Sequence, residues 1–397
     1  MKRLLSASLA LVMSLALFAG CGSDTKSNEN SQNNDSEVVI MDGKIDVLSN
    51  ISLVKTLGRT YYAEDNKLWL CYSGTGVDFD FVGTKCTVTI AGDSGATKND
   101  PANNARIAIE VNGERVVDDM INDYFKTYTV FESDTEQNVN VKVIKLSESA
   151  MSVCGISKIE VEGSDVKPAA VSDKKIEFIG DSITCGYGVD DPVKENHFMT
   201  STEDTTKAYA YLTAKALGAD YSMVCLSGHG IISGYSNDGN KVENQIMPKF
   251  YDYLGFSYGS FASGKQPQNM EWNHADYQPD LVVINLGTND DSYCQNDAEK
   301  QLDYKTQYIE FLKHIREVNP DAHILCTLGI MGDRLYPTIE SVVADYTAQT
   351  GDTNVSSMKF DVQSPADGYA ADWHPTDITQ KKAAEKLTAH IKTLMNW

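Results

Sequence analysis

The sequence predicts two folded parts of different classes: an all-β, antiparallel sandwich of jelly-roll type over residues 43–163, and a three-layer α/β domain with a parallel sheet over residues 175–397. In the first part, short runs alternate apolar and polar residues at a period of two, which is typical of half-buried strands. In the second part, apolar runs alternate with helical patterns, which is typical of a parallel sheet covered by helices. A chain of 397 residues is long enough to form two cores.

The strand pattern of the first part appears in six runs. They are "LWLCYS", "VDFDFVG", "CTVTIAG", "ARIAIEV", "NVNVKVIKL" and "ISKIEVE". Asn112-Gly113 lies between two runs of the segment "IEVNGERVV", and this dipeptide is the strongest short signal of a β-hairpin. Residues 164–174 are rich in small and polar residues and predict a linker.

The second part begins with "KIEFIG" at residues 175–180, which predicts a buried strand. Similar apolar runs follow at "YSMVCLSG", "PDLVVINLG" and "HILCTLGI". A helix is predicted to open at Ser201 and to end at Gly218, and further helical patterns occupy residues 304–315 and 379–395. In such a fold, binding sites form at the carboxyl ends of the parallel strands.

The N-terminus, residues 1–20, predicts a lipoprotein signal peptide. An apolar run from Leu4 to Phe18 follows two basic residues and is too short for a comfortable membrane span. It ends in "LFAGC", where small residues precede Cys21, so Cys21 is the predicted lipidation site. The polar tract "GSDTKSNENSQNNDSE" follows, and we predict a flexible tether over residues 21–42. We expect a protein anchored by lipid at the extracellular face of a bacterial cell; plain secretion is the alternative.

Net charge, cysteines and histidines limit the partners, disulfides and metal sites that the chain is expected to have. A net charge of −22 disfavours binding to nucleic acid or to anionic lipid surfaces, while neutral substrates are compatible with it. The seven cysteines after Cys21 are odd in number and contain no CxxC pair, which argues against a disulfide framework or a zinc ribbon. The histidines show no HxH or HExxH spacing, so no metal site and no cofactor are predicted.

Four short motifs follow predicted strands or lie in the last loop of the α/β part. "GDSI" supplies Ser182, "SGHG" supplies Gly228, "GTND" supplies Asn289, and "DWHP" supplies Asp372 and His374. Each motif alone is weak evidence. Their occurrence together, in this order and at the ends of different strands, is a strong signal of one site.

The residue types in these motifs suit acyl transfer. A serine hydroxyl is a poor nucleophile until a base takes its proton, which predicts that His374 lies within hydrogen-bond reach of Ser182. The attack creates an oxyanion, which the backbone N–H groups of Ser182 and Gly228 and the side-chain amide of Asn289 would stabilise. Asp372 would orient the imidazole and stabilise its protonated form.

With these blocks the chain resembles the SGNH (GDSL-type) hydrolases, and its N-terminal part resembles that of carbohydrate esterase family 2, the acetyl-xylan and related deacetylases. The resemblance covers about residues 50–397 and is carried by "LWLCYSGTGVDFDFVGTK", "FIGDSITCGYG", "SGHGI", "PDLVVINLGTND" and "DWHPT". It implies removal of O-acetyl groups from plant polysaccharides through an acetyl-serine intermediate, without metal or cofactor.

The acid of the site departs from the usual spacing of these hydrolases. Most of them carry it three residues before the histidine, where this chain has Ala371, while Asp372 lies two residues before His374. The resemblance leaves two versions open, because some members of the esterase family lack the acid and orient the histidine with a backbone carbonyl. Asp372 is therefore either the acid of a triad or dispensable to a Ser182–His374 pair.

Three further residues are candidate substrate contacts, each with a structural alternative. Trp373 could stack on a sugar ring or anchor its loop. His229 could line the cleft or be an incidental, exposed loop histidine. Tyr187, like Trp272, could offer an aromatic platform or fill a core.

Residues next to the motifs have simpler interpretations. Asp181 and Asp290 are expected to accept hydrogen bonds from turn N–H groups. Cys185 is expected to pack in the core, since no motif uses this position as a nucleophile.

The sequence thus predicts a serine esterase that deacetylates plant cell-wall polysaccharides or oligosaccharides. A broad-specificity short-chain esterase or lysophospholipase would share the motifs, but no long apolar stretch supplies an acyl channel or a lid. An O-acetyl esterase acting on bacterial wall or capsule glycans stays open. A binding lipoprotein with an inactive hydrolase domain is disfavoured by the intact set of motifs. The oligomeric state is left open.

Overall fold

A computed structural model of the chain shows an antiparallel β-sandwich followed by an α/β domain with a parallel sheet, which confirms the predicted fold class. It describes residues 40–41, 43–98, 100 and 102–397. The predicted signal peptide, with nearly all of the tether and Cys21, lies outside the described residues. All of these described residues belong to one compact unit.

Ten strands of the sandwich lie in the part of the chain that the structure describes. They are β1 (Ile40–Met41), β2 (Lys44–Asp46), β3 (Lys55–Leu57), β4 (Thr60–Tyr62), β5 (Leu68–Leu70), β6 (Gly76–Gly92), β7 (Ala105–Val111), β8 (Glu114–Ile121), β9 (Phe125–Lys145) and β10 (Cys154–Pro168). The main path of pairing is β1-β2-β10-β6-β9-β7-β8. The turn at Asn112-Gly113 joins β7 to β8, as predicted, and both of its residues have positive φ. Ile40 and Met41, which were included in the predicted tether, already form β1 and pair with β2.

Two predicted strands of the sandwich are one. The runs "VDFDFVG" and "CTVTIAG" both belong to β6, and register shifts against β9 mark the irregularity between them. Gly83 lies at this irregularity and allows a close backbone approach, because a Cβ on it would lie 2.3 Å from the Glu162 carbonyl oxygen of the neighbouring strand. The predicted linker is also shorter, since Ser164 and Pro168 still pair with β6 and only residues 169–174 connect the two sheets.

The parallel sheet has the order β12-β11-β13-β14-β15. Its strands are β11 (Lys175–Gly180), β12 (Asp220–Cys225), β13 (Leu281–Asn285), β14 (His323–Ile330) and β15 (Val355–Val362). The α-helices within the described residues are α1 (Ser182–Cys185), α2 (Tyr209–Leu217), α3 (Thr288–Cys294), α4 (Ala298–Val318), α5 (Tyr336–Thr350) and α6 (Asp377–Met395). Residues of α4 and α5 pack on one face of the sheet, and residues of α2 and α6 pack on the other, which gives three layers.

The register of this sheet places the candidate motifs at one edge. Gly180 at the end of β11 pairs with Cys225 of β12 and with Asn285 of β13. The three strands run parallel, so the loops that follow them leave from the same edge.

One helix begins later than predicted. The segment from Ser201 forms two short 3₁₀ turns, and α2 starts only at Tyr209, while Gly218 ends it in the left-handed conformation as expected. The physical reason is tertiary: Glu203 and Asp204 are fully buried, and Asp204 pairs with Arg115 of the sandwich. These contacts outweigh the local capping signal.

The two sheets share their apolar cores. Leu57 and Leu146 of the sandwich pack with residues of α2 and α6, and Tyr72 packs with residues of α4 and α5. A buried ion pair also joins them, from Arg59 to Glu177 of β11, with 3.2 Å between Nη2 and Oε2. Within the described part of the chain, no helix combines the length and the apolar character needed to cross a membrane.

Candidate active site

Ser182 begins α1 directly after β11. The Asp181 side chain caps this short helix by accepting the Ile183 N–H at 3.0 Å, and Gly186 ends it with φ +83°. Ser182 is 6% exposed. Its N–H, the first of the helix, has no hydrogen-bond partner among the residues that the structure describes. The turn therefore presents both a hydroxyl and a free backbone donor.

His374 lies in the loop before α6 and reaches Ser182. Its Nε2 is 2.9 Å from Ser182 Oγ, the distance of a hydrogen bond between nucleophile and base. His374 is partly buried, and the loss of solvation lowers the pKa of its imidazole to about 4. The ring is consequently neutral at neutral pH and can accept a proton.

The Asp372 carboxylate makes no hydrogen bond to the imidazole within the described residues, which favours the Ser182–His374 pair over the triad. His374 Nδ1 instead lies 3.2 Å from the carbonyl oxygens of both Ala371 and Asp372. Asp372 has φ 50° and Trp373 has φ 63°. This left-handed turn brings the main-chain carbonyls, and not the side chain, to the ring.

The Asp372 carboxylate binds residues that lie near His374. It accepts hydrogen bonds from the Tyr187 hydroxyl at 2.6 Å and the Phe198 N–H at 3.0 Å, and lies 2.8 Å from His197 Nδ1. Burial raises the pKa of Asp372, but these hydrogen bonds outweigh it and hold the pKa below its usual value. Asp372 is thus ionised at neutral pH.

Tyr187 supports the base and does not present an open platform. Its ring stacks on the His374 imidazole, with 3.8 Å between ring centroids and 18° between planes. Since its hydroxyl is bound to Asp372, both parts of the side chain are occupied. Tyr187 is a predicted substrate contact, but the face of its ring that stacks on the imidazole is not open to a substrate.

Asn289 links the loop of Gly228 to the turn of Ser182. Gly228 has φ +75°, and its N–H has no hydrogen-bond partner within the described residues. Asn289 Nδ2 donates to the His229 carbonyl at 2.9 Å and lies 3.3 Å from Asp181 Oδ2. The amide therefore joins the neighbour of Gly228 to the neighbour of Ser182.

Asp290 fixes the loop that contains Gly228. Its carboxylate accepts the N–H groups of Ile231, Ile232 and Ser233 at distances from 2.7 to 3.1 Å. The structural roles expected for Asp181 and Asp290 are confirmed by these bonds and by the cap of α1. Burial raises the pKa of Asp181 to about 7 and that of Asp290 to about 6.

The remaining aromatic candidates separate into exposed and buried residues. Trp373, next to the base, is 50% exposed, and its ring lies under the Lys194 ammonium at 4.1 Å. His229 is not the exposed loop residue considered above, because it is 2% exposed and packs against the Phe250 and Phe256 rings. Trp272 packs in the small apolar cluster around Trp69 and is not part of the site.

Cys185 is fully buried, as expected of a packing residue, but it also borders a polar cluster. Its Sγ lies 3.6 Å from Glu148 Oε2. Potential metal-ligating atoms of Glu148, Cys185 and Glu203 lie within 4.8 Å of one another. Lys145 Nζ donates to the Glu148 carbonyl at 2.8 Å, and burial lowers the pKa of Lys145.

Sequence reasoning missed Glu148, Glu203 and His197. Glu148 lies in the segment "LSESA" of the sandwich and Glu203 in a segment predicted as helix, and neither belongs to a recognisable motif. His197 contacts the site through Asp372. No local pattern marks them, because each acts on residues that are distant in sequence.

Family models match both parts of the chain. Residues 178–381 match the GDSL-like Lipase/Acylhydrolase family, and residues 56–169 match the carbohydrate esterase 2 N-terminal domain.

Two relatives match most of the chain. The Cellulase/esterase CelE of Acetivibrio thermocellus is 31% identical over 345 residues, which is 86% of this chain but only 39% of that protein. An acetylxylan esterase / glucomannan deacetylase of Cellvibrio japonicus is 27% identical over 350 residues, 87% of this chain and 89% of that protein.

Solved structures show the same fold. A family two carbohydrate esterase from Clostridium thermocellum, in complex with cellohexaose, superposes with a TM-score of 0.74 and 28% identity. The match covers 87% of this chain and 99% of that one. The acetyl xylan esterase Est2A of Butyrivibrio proteoclasticus has a TM-score of 0.78 at 22% identity, covering 89% and 98%.

The Ser182–His374 hydrogen bond lies inside the segment that matches the hydrolase model, and that segment makes up more than half of the chain. The sandwich that precedes it matches the carbohydrate esterase 2 model. This chain therefore belongs to the GDSL-like lipase/acylhydrolase family, with the N-terminal domain of carbohydrate esterase family 2.

Proposed function

We propose that this protein is a serine esterase that removes O-acetyl groups from plant cell-wall polysaccharides or oligosaccharides. The observation that carries this proposal is the 2.9 Å contact between Ser182 Oγ and His374 Nε2, with the neutral imidazole facing the hydroxyl. Nucleophile and base in this arrangement suit acyl transfer. The relatives named as acetylxylan esterase / glucomannan deacetylase and cellulase/esterase support the substrate class.

In the acylation step, Ser182 Oγ attacks the acetyl carbonyl carbon while its proton passes to His374 Nε2. The carbonyl π electrons move to oxygen, and the oxyanion accepts hydrogen bonds from the Ser182 and Gly228 N–H groups. Asn289 supplies a third donor, the amide hydrogen whose contact with Asp181 is long at 3.3 Å. When the carbonyl re-forms, the C–O bond to the sugar breaks and His374 returns the proton to the sugar oxygen.

In the deacylation step, His374 Nε2 removes a proton from a water molecule, whose oxygen attacks the acetyl-serine. The second oxyanion uses the same donors, and its collapse breaks the bond between the acetyl carbon and Ser182 Oγ. The proton on His374 returns to Ser182, and acetic acid leaves and loses its own proton to the solvent as acetate. The carbonyls of Ala371 and Asp372 hold the imidazole through Nδ1 in both steps.

The position of Trp373 favours a sugar as the alcohol part of the ester substrate. Its ring is half exposed and adjoins the base, which suits stacking against the apolar face of a sugar. The net charge of −22 suits a neutral polysaccharide better than an anionic lipid. Replacing Trp373 by Ala is expected to raise KM for acetylated oligosaccharides more than KM for a small acetyl ester.

The proposal is tested by acetate release from acetylated xylan, acetylated glucomannan and O-acetylated peptidoglycan, with Ser182→Ala as the inactive control. We expect release from the plant polysaccharides that Ser182→Ala abolishes. Release from peptidoglycan alone would favour the bacterial-glycan alternative instead. Simple esters from acetyl to butyryl complete the panel, since a steep fall with acyl length is expected and equal rates would indicate a broad-specificity esterase.

We also propose that Cys21 bears a lipid anchor and that the polar residues after it act as a tether. The support is the leader sequence, which ends in "LFAGC". An anchored enzyme would meet oligosaccharides at the cell surface. Fractionation of cells is expected to recover the protein with membranes, and Cys21→Ser is expected to prevent lipidation. Wild-type protein found wholly in the medium would contradict the anchor.

A further inference from the structure

Glu148 belongs to the sandwich but contacts the site. It lies between β9 and β10 and is 1% exposed. Its Oε2 accepts the Ser227 N–H at 2.6 Å, and Ser227 directly precedes Gly228. The same oxygen lies 3.6 Å from Sγ of Cys185, in the helix that Ser182 begins. One buried carboxylate oxygen thus contacts both elements that supply backbone donors to the proposed oxyanion hole.

Glu148 is itself held firmly. Its backbone N–H donates to Glu203 Oε2 at 2.7 Å, and Lys145 Nζ donates to the carbonyl oxygens of Ser147 and Glu148. Burial raises the pKa of both Glu148 and Glu203. The cluster of Lys145, Glu148 and Glu203 has no net charge when the lysine is protonated and one of the two carboxyls also holds a proton. Burying a cluster without net charge costs less free energy than burying an unpaired charge.

We infer that Glu148 is a positioning residue of the esterase, through which the β-sandwich sets the place of the Gly228 N–H. Gly228 is a glycine with φ +75°, so its own backbone has wide freedom, and the bond from Ser227 to Glu148 restricts it on the side before the glycine. On the side after it, Asp290 accepts three N–H groups of the same loop. The inference rests on the proposed function, since it assigns the Gly228 N–H to an oxyanion.

The decisive variants remove or keep the acceptor at position 148. Glu148→Leu fills a similar volume but cannot accept the Ser227 N–H, and we expect kcat to fall about ten- to hundredfold with little change in KM, less than the full loss of an oxyanion donor. Glu148→Gln keeps an acceptor oxygen and is expected to stay within a few-fold of wild type. If Glu148→Leu does not fold, Glu148→Asp replaces it in the test. The aspartate side chain is one methylene shorter, so its carboxylate lies farther from the Ser227 N–H.

A matched control separates positioning from general loosening of the interface. Glu177→Gln alters another buried carboxyl at the same interface, whose bonds go to Arg59, Ser222 and Tyr251. It is expected to lower the melting temperature without changing kcat. Folded Glu148→Leu protein with wild-type kcat would overturn the inference, and so would equal losses of kcat in Glu148→Leu and Glu177→Gln.

A second readout does not depend on the natural substrate. A fluorophosphonate reacts at the serine hydroxyl, forming an O–P bond and releasing fluoride, while its phosphoryl oxygen occupies the oxyanion hole. The rate of labelling of Ser182 is expected to fall in Glu148→Leu by the same factor as kcat. Wild-type protein that is labelled but releases no acetate would refute the proposed function alone, and the labelling rates would still decide the role of Glu148.

Discussion

At the scale of single residues, main-chain carbonyls orient His374. The Asp372 carboxylate instead binds the hydroxyl of Tyr187, whose ring stacks on the imidazole. In a Ser-His-Asp triad, removing the charge of the acid lowers kcat about 10⁴-fold. Here Asp372→Asn is expected to lower kcat by no more than about tenfold, or 1.4 kcal/mol, because both acceptors of Nδ1 remain. Asparagine also tolerates the left-handed conformation of this position.

Steady-state kinetics of Asp372→Asn on a soluble acetyl ester provide the measurement. Ser182→Ala marks the floor, and Tyr187→Phe is the matched control, because it removes the bond to Asp372 but keeps the ring on the imidazole. A loss of kcat near 10⁴-fold in Asp372→Asn would instead indicate that Asp372 is the acid of a triad.

The pKa of His374 predicts the acid limb of the pH profile. Burial lowers this pKa to about 4, against about 6.5 for an unperturbed imidazole. The base must be neutral, so kcat/KM is expected to stay high down to about pH 5 and to fall below it. Asp181, whose pKa burial raises to about 7, is the competing group. The profile of Asp181→Asn checks this, since a limb near pH 7 that disappears in the variant would belong to Asp181.

The same shift affects stability. The folded pKa lies below the unfolded one, so between about pH 6.5 and pH 4 the unfolded chain binds a proton at His374 that the folded chain does not. The contribution of His374 to stability is therefore complete above pH 6.5 and is lost as the pH falls towards 4. Chemical unfolding at pH 7 and pH 5 is expected to show a smaller pH effect in His374→Gln than in wild type.

Which site residues could be predicted depends on how local their signal is. Ser182, Gly228, Asn289 and His374 lie in motifs after strands, and the structure brings all four to one edge of the sheet. The side chain of Asp372 could not be placed, because a left-handed turn decides whether its carboxylate or its carbonyl meets the ring.

At the scale of elements, the turn that begins with Ser182 depends on Gly186. This residue has φ +83°, and a Cβ on it would lie 2.6 Å from the Asp204 carbonyl oxygen. Gly186→Ala is expected to lower the free energy of unfolding by about 2–4 kcal/mol, combining the cost of the left-handed conformation with that of the clash. Gly218→Ala is the matched control, because Gly218 has φ +63° and open space around it, and about 1 kcal/mol is expected there.

Urea unfolding of both glycine variants provides the measurement, with kcat as a second one. Gly186→Ala is expected to lower kcat, since the helix of Ser182 must move, whereas Gly218→Ala is not. Equal stability losses in the two variants would show that the contact with Asp204 relaxes at no cost.

Element boundaries were predictable where local signals agree with tertiary contacts. Gly218 ends α2 as its sequence indicates, and Asn112-Gly113 forms the expected hairpin. The start of α2 was not predictable, because Asp204 accepts a hydrogen bond from Arg115, a residue of another domain. The continuity of β6 depends likewise on Gly83 meeting a neighbouring strand, which no local pattern reveals.

At the scale of the whole molecule, the sandwich supports the site from two sides. On one side, Glu148 holds the loop of Gly228. On the other side, Arg106 binds Asp190 at 2.8 Å and Arg115 binds Asp204 at 2.8 Å, and both acidic residues belong to the segment that also contains His197. The sandwich therefore contacts the surroundings of both the oxyanion donors and the base.

This shared construction predicts that the α/β part does not function alone. A chain of residues 170–397 would lose Leu57, Leu146 and Tyr72 from its two apolar clusters, and Glu177 would lose Arg59. Exposing these apolar surfaces is costly, so we expect insoluble protein or a much lower melting temperature, with no measurable hydrolysis of an acetyl ester. A chain of residues 40–397 is the control and is expected to retain wild-type kcat and melting temperature. Soluble 170–397 protein with a native near-UV circular dichroism spectrum and wild-type kcat would contradict this view of the sandwich as part of the catalytic unit.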